Sequence, residues 1–189
     1  PWIHNVKNTD MVVAIDDNSV VNLMRLFNEP AGKAYLAKKG VPAETIAQLD
    51  LLGFSGIANL LSAIKAAKYY EMGENDVMVI VLTDSMELYS SRMDEYRQSM
   101  GEFGLPEAAA ALAADLYGET DDALLELTYA ERKRVHNLKY YTWVEQQGKT
   151  YEEIKAQWYE PHYWTDVQSQ LDEIDALIDE FNHETGLLN

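Results

Sequence analysis

Six consecutive apolar residues, Val77-Met78-Val79-Ile80-Val81-Leu82, constrain this chain more than any other stretch. Three valines and an isoleucine favour extended backbone, because branching at Cβ limits side-chain freedom in a helix. Gly73-Glu74-Asn75-Asp76 precedes the run and Thr83-Asp84-Ser85 follows it, so it has the length and the punctuation of a strand. With an apolar side chain at every position, neither face suits water. Such a strand is expected inside a parallel sheet, with helices covering both faces.

The preceding residues supply one of those helices. From Ser55 onward, Ile57, Leu60, Leu61, Ile64 and Ala67 recur at spacings of three and four, the stripe of an amphipathic helix. Upstream, Met11-Val12-Val13-Ala14-Ile15 is a second candidate for a buried strand. Asp16-Asp17-Asn18-Ser19 then offers N-caps to a helix that would bury Val20, Val21, Met24 and Phe27. Pro30 and Gly32 interrupt it, and a helical insert follows, with Gly40 ending one piece, Pro42 opening the next, and Ile46 and Leu49 as apolar positions. Strand, helix and strand in this order predict a right-handed parallel crossover. The fold class expected is α/β: the C-terminal portion of an open parallel sheet flanked by helices over residues 1–90, followed by a mainly helical extension over 91–189.

In the extension, Pro106 opens an alanine-rich helix to about Tyr117, and a second helix runs from Asp121 or Tyr129 to Gln147. Thr150-Tyr151-Glu152-Glu153 has the pattern of a capping box and starts a third, which must stop before Pro161. The last helix starts at Thr165 or Asp166 and ends before Gly186, with Val167, Leu171, Ile174, Ile178 and Phe181 along one side. Asp172, Glu173, Asp175, Asp179 and Glu180 occupy the rest of its surface. The apolar stripe is expected to bury itself on the chain's own α/β domain. Tyr140-Tyr141-Thr142-Trp143 and the run from Trp158 to Trp164 read as aromatic packing between helices. The alternative is that His162 or Tyr163 covers the mouth of a site.

Charge and composition narrow the partners. Fifteen Lys and Arg against 32 Asp and Glu give a net charge of −17, which repels phosphate backbones and anionic lipid, so neither nucleic acid nor a membrane is expected as a partner. No apolar run approaches the roughly 20 residues of a membrane span. The absence of cysteine removes disulfides and thiolate metal sites and suits a cytoplasmic location. No His and Glu pair sits at metal-binding spacing on a helix, so no metal is expected either.

Two chemistries compete for the turn Gly53-Phe54-Ser55-Gly56. A serine-hydrolase elbow would need a very small residue where Ile57 stands, and its histidine would have to come from His136, His162 or His183 in the helical tail. The other reading is a ligand crevice. Gly53 lets backbone approach a flat ligand, Ser55 caps the helix, and Ser85 emerges at the carboxyl end of the neighbouring strand.

Gly53-Phe54-Ser55-Gly56-Ile57-Ala58, the helix after it, and Val79-Ile80-Val81-Leu82-Thr83-Asp84-Ser85 together resemble the C-terminal part of fold-type II pyridoxal-phosphate enzymes. That superfamily includes cysteine synthase, cystathionine β-synthase and the tryptophan synthase β-subunit. Its cysteine synthase branch carries a G-x-S-[SA]-G-like turn, a helix, and a strand ending in P-[DS]-S followed by an aromatic residue. Here Thr83 replaces the proline and Tyr89 supplies the aromatic. Pro1, the strand from Met11 to Ile15 and Asp16-Asp17 also look like the family's preceding segment, so the resemblance covers residues 1–90.

The resemblance implies pyridoxal 5'-phosphate as cofactor, bound by Gly53, Phe54, Ser55, Asp84 and Ser85, with Ser85 as partner of the pyridine nitrogen. It implies β-elimination or β-replacement on a small amino-acid substrate. The family's Schiff-base lysine and glycine-rich phosphate loop lie upstream of the segment that begins at Pro1, and Lys65 and Lys68 fall on the intervening helix, expected to point along it or outward. No catalytic residue is therefore expected in this chain. It is read as the C-terminal piece of a longer polypeptide or one part of a split enzyme, inactive alone, and acting as a homodimer or with its missing N-terminal part. The tail resembles a branch that includes amino-acid lyases and the β-subunit of a 2-amino-4-oxopentanoate thiolase. From a different class, the chain reads as a non-catalytic α/β-plus-helical interaction module.

Overall fold

The computed structural model describes residues 4–187; Pro1 lies outside them. The chain divides into two compact units, one from Val13 to Leu125 and the other from Pro1–Val12 together with Glu126–Asn189.

The Val13–Leu125 unit is built around α1, Asp17–Asn28. Asp16 caps it, its side chain accepting from the Asn18 N–H at 2.7 Å. Val20, Leu23, Met24, Leu26 and Phe27 are buried on its inner side, the face expected from the sequence and two leucines more. Helix α2, Pro30–Lys38, follows at once. It lies so close to α1 that a Cβ on Gly32 would fall 2.1 Å from the Leu26 carbonyl oxygen. Helix α3, Ala43–Gln48, contributes Ile46, and α4, Phe54–Tyr69, contributes Ile57 and Leu61. After α5, Ser90–Met100, the alanine-rich α6, Leu105–Ala111, widens into a π-helical stretch, Leu112–Tyr117. Ala108, Ala111 and Leu112 close the same core. Short side chains on α6 let its backbone approach α1 closely.

The other unit is smaller and more polar inside. Helices α7, Tyr129–Asn137, and α8, Tyr151–Tyr159, carry Val135, His136, Ile154, Gln157 and Trp158 among its buried residues. Thr150 and Glu153 form the expected capping box at the start of α8. Val6, Leu127 and Val135 make one apolar cluster, and Trp158 meets His136 and Tyr129 in ring contacts with centroids 5.0 Å and 5.8 Å apart. Helix α9, Tyr163–Gln168, precedes α10, Leu171–Thr185, which ends at Gly186 in the left-handed conformation.

The α/β expectation is overturned. Among the described residues the only sheet has two strands, β1, Met11–Val13, and β2, Leu124–Glu126. They run antiparallel, with flanking hydrogen bonds from Ala14 to Ala123 and from Leu127 to Asp10. The run Val77–Leu82 forms no strand. Its exposure still alternates with the period of two of an extended chain: Val77 is 83% exposed, Met78 39%, Val79 87% and Leu82 46%. A strand exists only when a neighbour completes its ladder, and β1 is taken by β2. No open parallel sheet and no parallel crossover form.

Two further expectations change. Lys65 points inward rather than outward, buried and ion-paired to Glu119 at 3.0 Å and Asp122 at 2.8 Å. The stripe of α10 is not buried among the described residues, since no residue of that helix is buried. No single helix among the described residues is long and apolar enough to cross a membrane.

Candidate functional site

The two halves of the motif pair come together. Leu52 is held in a short turn before α4, and Gly53, rather than the expected Ser55, is the N-cap with extended backbone, because the helix already starts at Phe54. The Gly53 N–H donates to the Asp84 carbonyl at 3.0 Å. A Cβ on Gly53 would lie 2.4 Å from Asp84 Oδ1 and 2.9 Å from the Asp84 carbonyl oxygen. Glycine is therefore required here by the protein's own backbone crossing.

Asp84 is the clasp of this edge. Its Oδ2 accepts from the Tyr89 hydroxyl at 2.5 Å and its Oδ1 from Thr83 Oγ1 at 3.2 Å. The hydrogen bond to a carboxylate, with burial and the negative charge added, holds the Tyr89 phenol above its usual pKa. Tyr89 sits in a short 3-10 turn, Met86–Tyr89, with its ring centroid 6.4 Å from that of Phe54. Phe54, Asp84 and Tyr89 thus fix the loop after the apolar run to the first turn of α4.

The serines stand differently. Ser55 is exposed and Ser85 half-buried, and neither hydroxyl bonds to a described residue. The first helical hydrogen bond of α4 runs from Ile57 to Gly53, so the N–H groups of Phe54, Ser55 and Gly56 have no helical acceptor. The edge therefore offers three backbone donors and two hydroxyls. The five residues expected at the site are all within this one arrangement, with Asp84 bonded to the protein itself. Asn59 was not anticipated: its Nδ2 donates to the Val81 carbonyl at 2.7 Å and ties the apolar run to α4. An asparagine on the flank of an apolar helix, within two turns of its start, is the signal the sequence offers. Ile80 and Leu82 turn inward and line an apolar cavity of about 300 Å³ with Leu49, Leu52 and Leu60.

Other polar clusters serve the fold. Arg97 binds Glu29 at 3.0 Å, beside buried Arg25, whose Nη2 donates to the Gly101 carbonyl at 2.7 Å. Glu29, Arg97 and Phe103 border a cavity of about 460 Å³, on whose wall Glu29 and Arg97 pair with each other. In the other unit, Lys139 is fully buried, donating to the His4 carbonyl and to Gln157 Oε1, each at 2.7 Å. Burial lowers its pKa to about 8. His136, bonded to the Ile154 carbonyl at 3.1 Å, is lowered to about 4, first by burial and then by the charge of Lys139. Trp158 and Tyr159 pack under the Lys133 ammonium, 4.3 Å from each ring centroid, so this part of the aromatic tail is packing. No group of three or more His, Cys, Asp or Glu side chains that could hold a metal occurs among the described residues.

The chain matches no protein-family model, no curated protein and no solved structure.

Proposed function

We propose that the Gly53 turn and the Asp84-Ser85 loop form the ring-facing edge of a pyridoxal-phosphate site in a lyase or transferase. The reaction in this reading is β-elimination or β-replacement on a small amino acid. The observation that supports it is the Gly53 to Asp84 hydrogen bond of 3.0 Å, which joins the two halves of the pattern on one edge. The residues fit the ring side of such a cofactor, because Ser85 is half-buried with no hydroxyl partner among the described residues, and three N–H groups at the start of α4 lack helical acceptors. When bound, the cofactor supplies an electron sink for the substrate's Cα.

The chain's own residues bind and orient. Ser85 Oγ would serve as a neutral hydrogen-bond partner for the cofactor's pyridine nitrogen, one that would hold a ring proton less firmly than a carboxylate does. That suits reactions in which a leaving group departs as the α-proton is lost. The α4 amides and Ser55 present donors to an anionic group, and the Tyr89–Asp84 clasp keeps the loop in place. The residues do not fit the aldehyde side. Lys65 lies about 15 Å along α4 from Ser55 and is held by Glu119 and Asp122, and Lys68 donates to the Glu119 carbonyl. In this reading the lysine comes from another polypeptide segment.

The test is made on the chain together with whatever it co-purifies with from its native cells. Borohydride reduction followed by absorbance and mass measurement should locate a pyridoxyl group on a lysine outside this chain. Ser85→Ala should keep the cofactor and lose most of the β-elimination turnover, and Ser85→Asp should shift the ring toward its protonated form. Wild-type kinetics and spectra in both variants would show Ser85 to be an ordinary loop residue.

A further inference from the structure

Helix α10 carries an apolar stripe that is left exposed among the described residues. Leu171, Ile174, Leu177, Ile178 and Phe181 are between 44% and 60% exposed. Single exposed apolar side chains are ordinary, but five on one side of a four-turn helix mark a contact surface. Leu171, Ile174, Ile178 and Phe181 have the spacing of a heptad a/d seam. In that register Asp172, Glu173, Asp179 and Glu180 fall at the outer b and c positions. The charges next to the seam are only Asp175 and Glu184. A chain of net charge −17 thus turns most of this helix's charge away from its apolar side.

We propose that a second copy of this chain covers the stripe, the two α10 helices packing antiparallel about a two-fold axis. Leu177 decides the orientation. It stands at a g position, one residue outside the seam, and is itself 57% exposed. In a parallel pair g faces e, and Leu177 would lie against the partner's Asn182. In an antiparallel pair g faces g, and Leu177 meets the partner's Leu177, while Leu171 packs on the partner's Phe181 and Ile174 on the partner's Ile178. Glu184 then faces the partner's neutral Gln170. The acidic first turn with Asp172 and Glu173 comes beside a helix C-terminus that carries His183, so the helix dipoles oppose each other. The contact is self-complementary, as a two-fold interface must be. One like-charge pair remains, Asp175 against the partner's Asp175. A single helix pair is a small interface, so the dimer is reversible and dissociates on dilution.

Sedimentation equilibrium of the full chain should show a monomer–dimer equilibrium that tightens as salt screens the net charge. Ile178→Asp changes a residue already exposed in the monomer, so the fold survives, and the dissociation constant should rise about a hundredfold. Asp175→Asn should tighten the dimer severalfold. The chain has no cysteine, so Leu177→Cys should cross-link through a short bis-maleimide and Asp172→Cys on the outer face should not. A wild-type chain that stays monomeric at every concentration and salt overturns the proposal. So does an Ile178→Asp dimer as tight as wild type, or cross-linking at Asp172 as fast as at Leu177. Stripe amides protected from exchange equally at all dilutions would place the cover within the chain itself and also overturn it.

Discussion

Helix α4 and the run Val77–Leu82 are neighbours in sequence and both rich in large apolar residues, yet they end in opposite environments. Ile57 and Leu61 on α4 are 0% exposed, whereas Val79 is 87% exposed and Val81 66%. The helix satisfies its own backbone from residue to residue, so one apolar surface to lie against is enough to bury it. The run has no internal ladder. None of its N–H groups finds an acceptor among the described residues, and only the Val81 carbonyl is met, by Asn59. Burying its outer side chains would strand those groups without partners, at a cost of about 1–3 kcal/mol for each. Hydrophobicity alone therefore does not pull the run inward; a neighbouring strand would have to satisfy the backbone first.

The sharpest way to break this contrast is at Leu61. Its side chain sits among α1 and α4 residues that are themselves fully buried, so Leu61→Ala should cost about 2–5 kcal/mol through lost burial and the cavity left behind. Urea unfolding measures it directly. A loss below about 1 kcal/mol would mean the α1–α4 core is not packed tightly, and the contrast with the run would dissolve.

The smaller unit offers a comparable test through pH. His136 is 3% exposed, with its pKa lowered from an ordinary 6.5 to about 4 by burial. The unfolded chain then takes up a proton as pH falls through 6.5, while the folded chain does so only near 4. The histidine's contribution to stability is full above pH 6.5 and declines as the pH falls to 4, by about 3 kcal/mol in total. His136→Gln keeps a donor for the Ile154 carbonyl and removes this slope. Equal slopes in variant and wild type, from denaturant melts at stepped pH, would show that the histidine is hydrated in solution.

Helices were legible because their signals are local. Asp16, Pro30, Pro42, Thr150 and Gly186 mark starts and stops that the structure keeps, and the 20, 24, 27 stripe of α1 faces the core as its period requires. The sheet was not legible. Whether Met11–Val13 pairs with Val77–Leu82 or with Leu124–Glu126 depends on distant backbone, and Leu124-Leu125-Glu126 carries no β-branched residue to advertise a strand. At the site, the pairing of the Gly53 turn with Asp84-Ser85 could be read from the two short patterns together. The Tyr89–Asp84 clasp and the Asn59 tether could not, because each depends on how the loop folds back. Lys65 was misplaced for a related reason: a lysine reads as surface until its partners, Glu119 and Asp122, are known to lie beside it.

The smallest expected effect is the most direct probe of the run itself. Val79 points outward and Ile80 inward, toward the apolar cavity bordered by Leu52 and Leu60. Val79→Asp should change the stability of the isolated chain by no more than about 0.5 kcal/mol, the range of substitutions at exposed sites without special contacts. Ile80→Asp, one residue along, places a carboxylate toward that cavity and should cost about 1–3 kcal/mol. Because the run's amides lack acceptors, they should exchange with solvent nearly as fast as in an unfolded peptide, while those of α4 wait for larger openings. Equal losses at Val79 and Ile80, or slow exchange from Val77 to Leu82, would show that another strand already completes the ladder in solution. The opposing result leaves the run as an exposed extended segment held, among the described residues, only at its C-terminal end, by the Gly53–Asp84 and Asn59–Val81 hydrogen bonds.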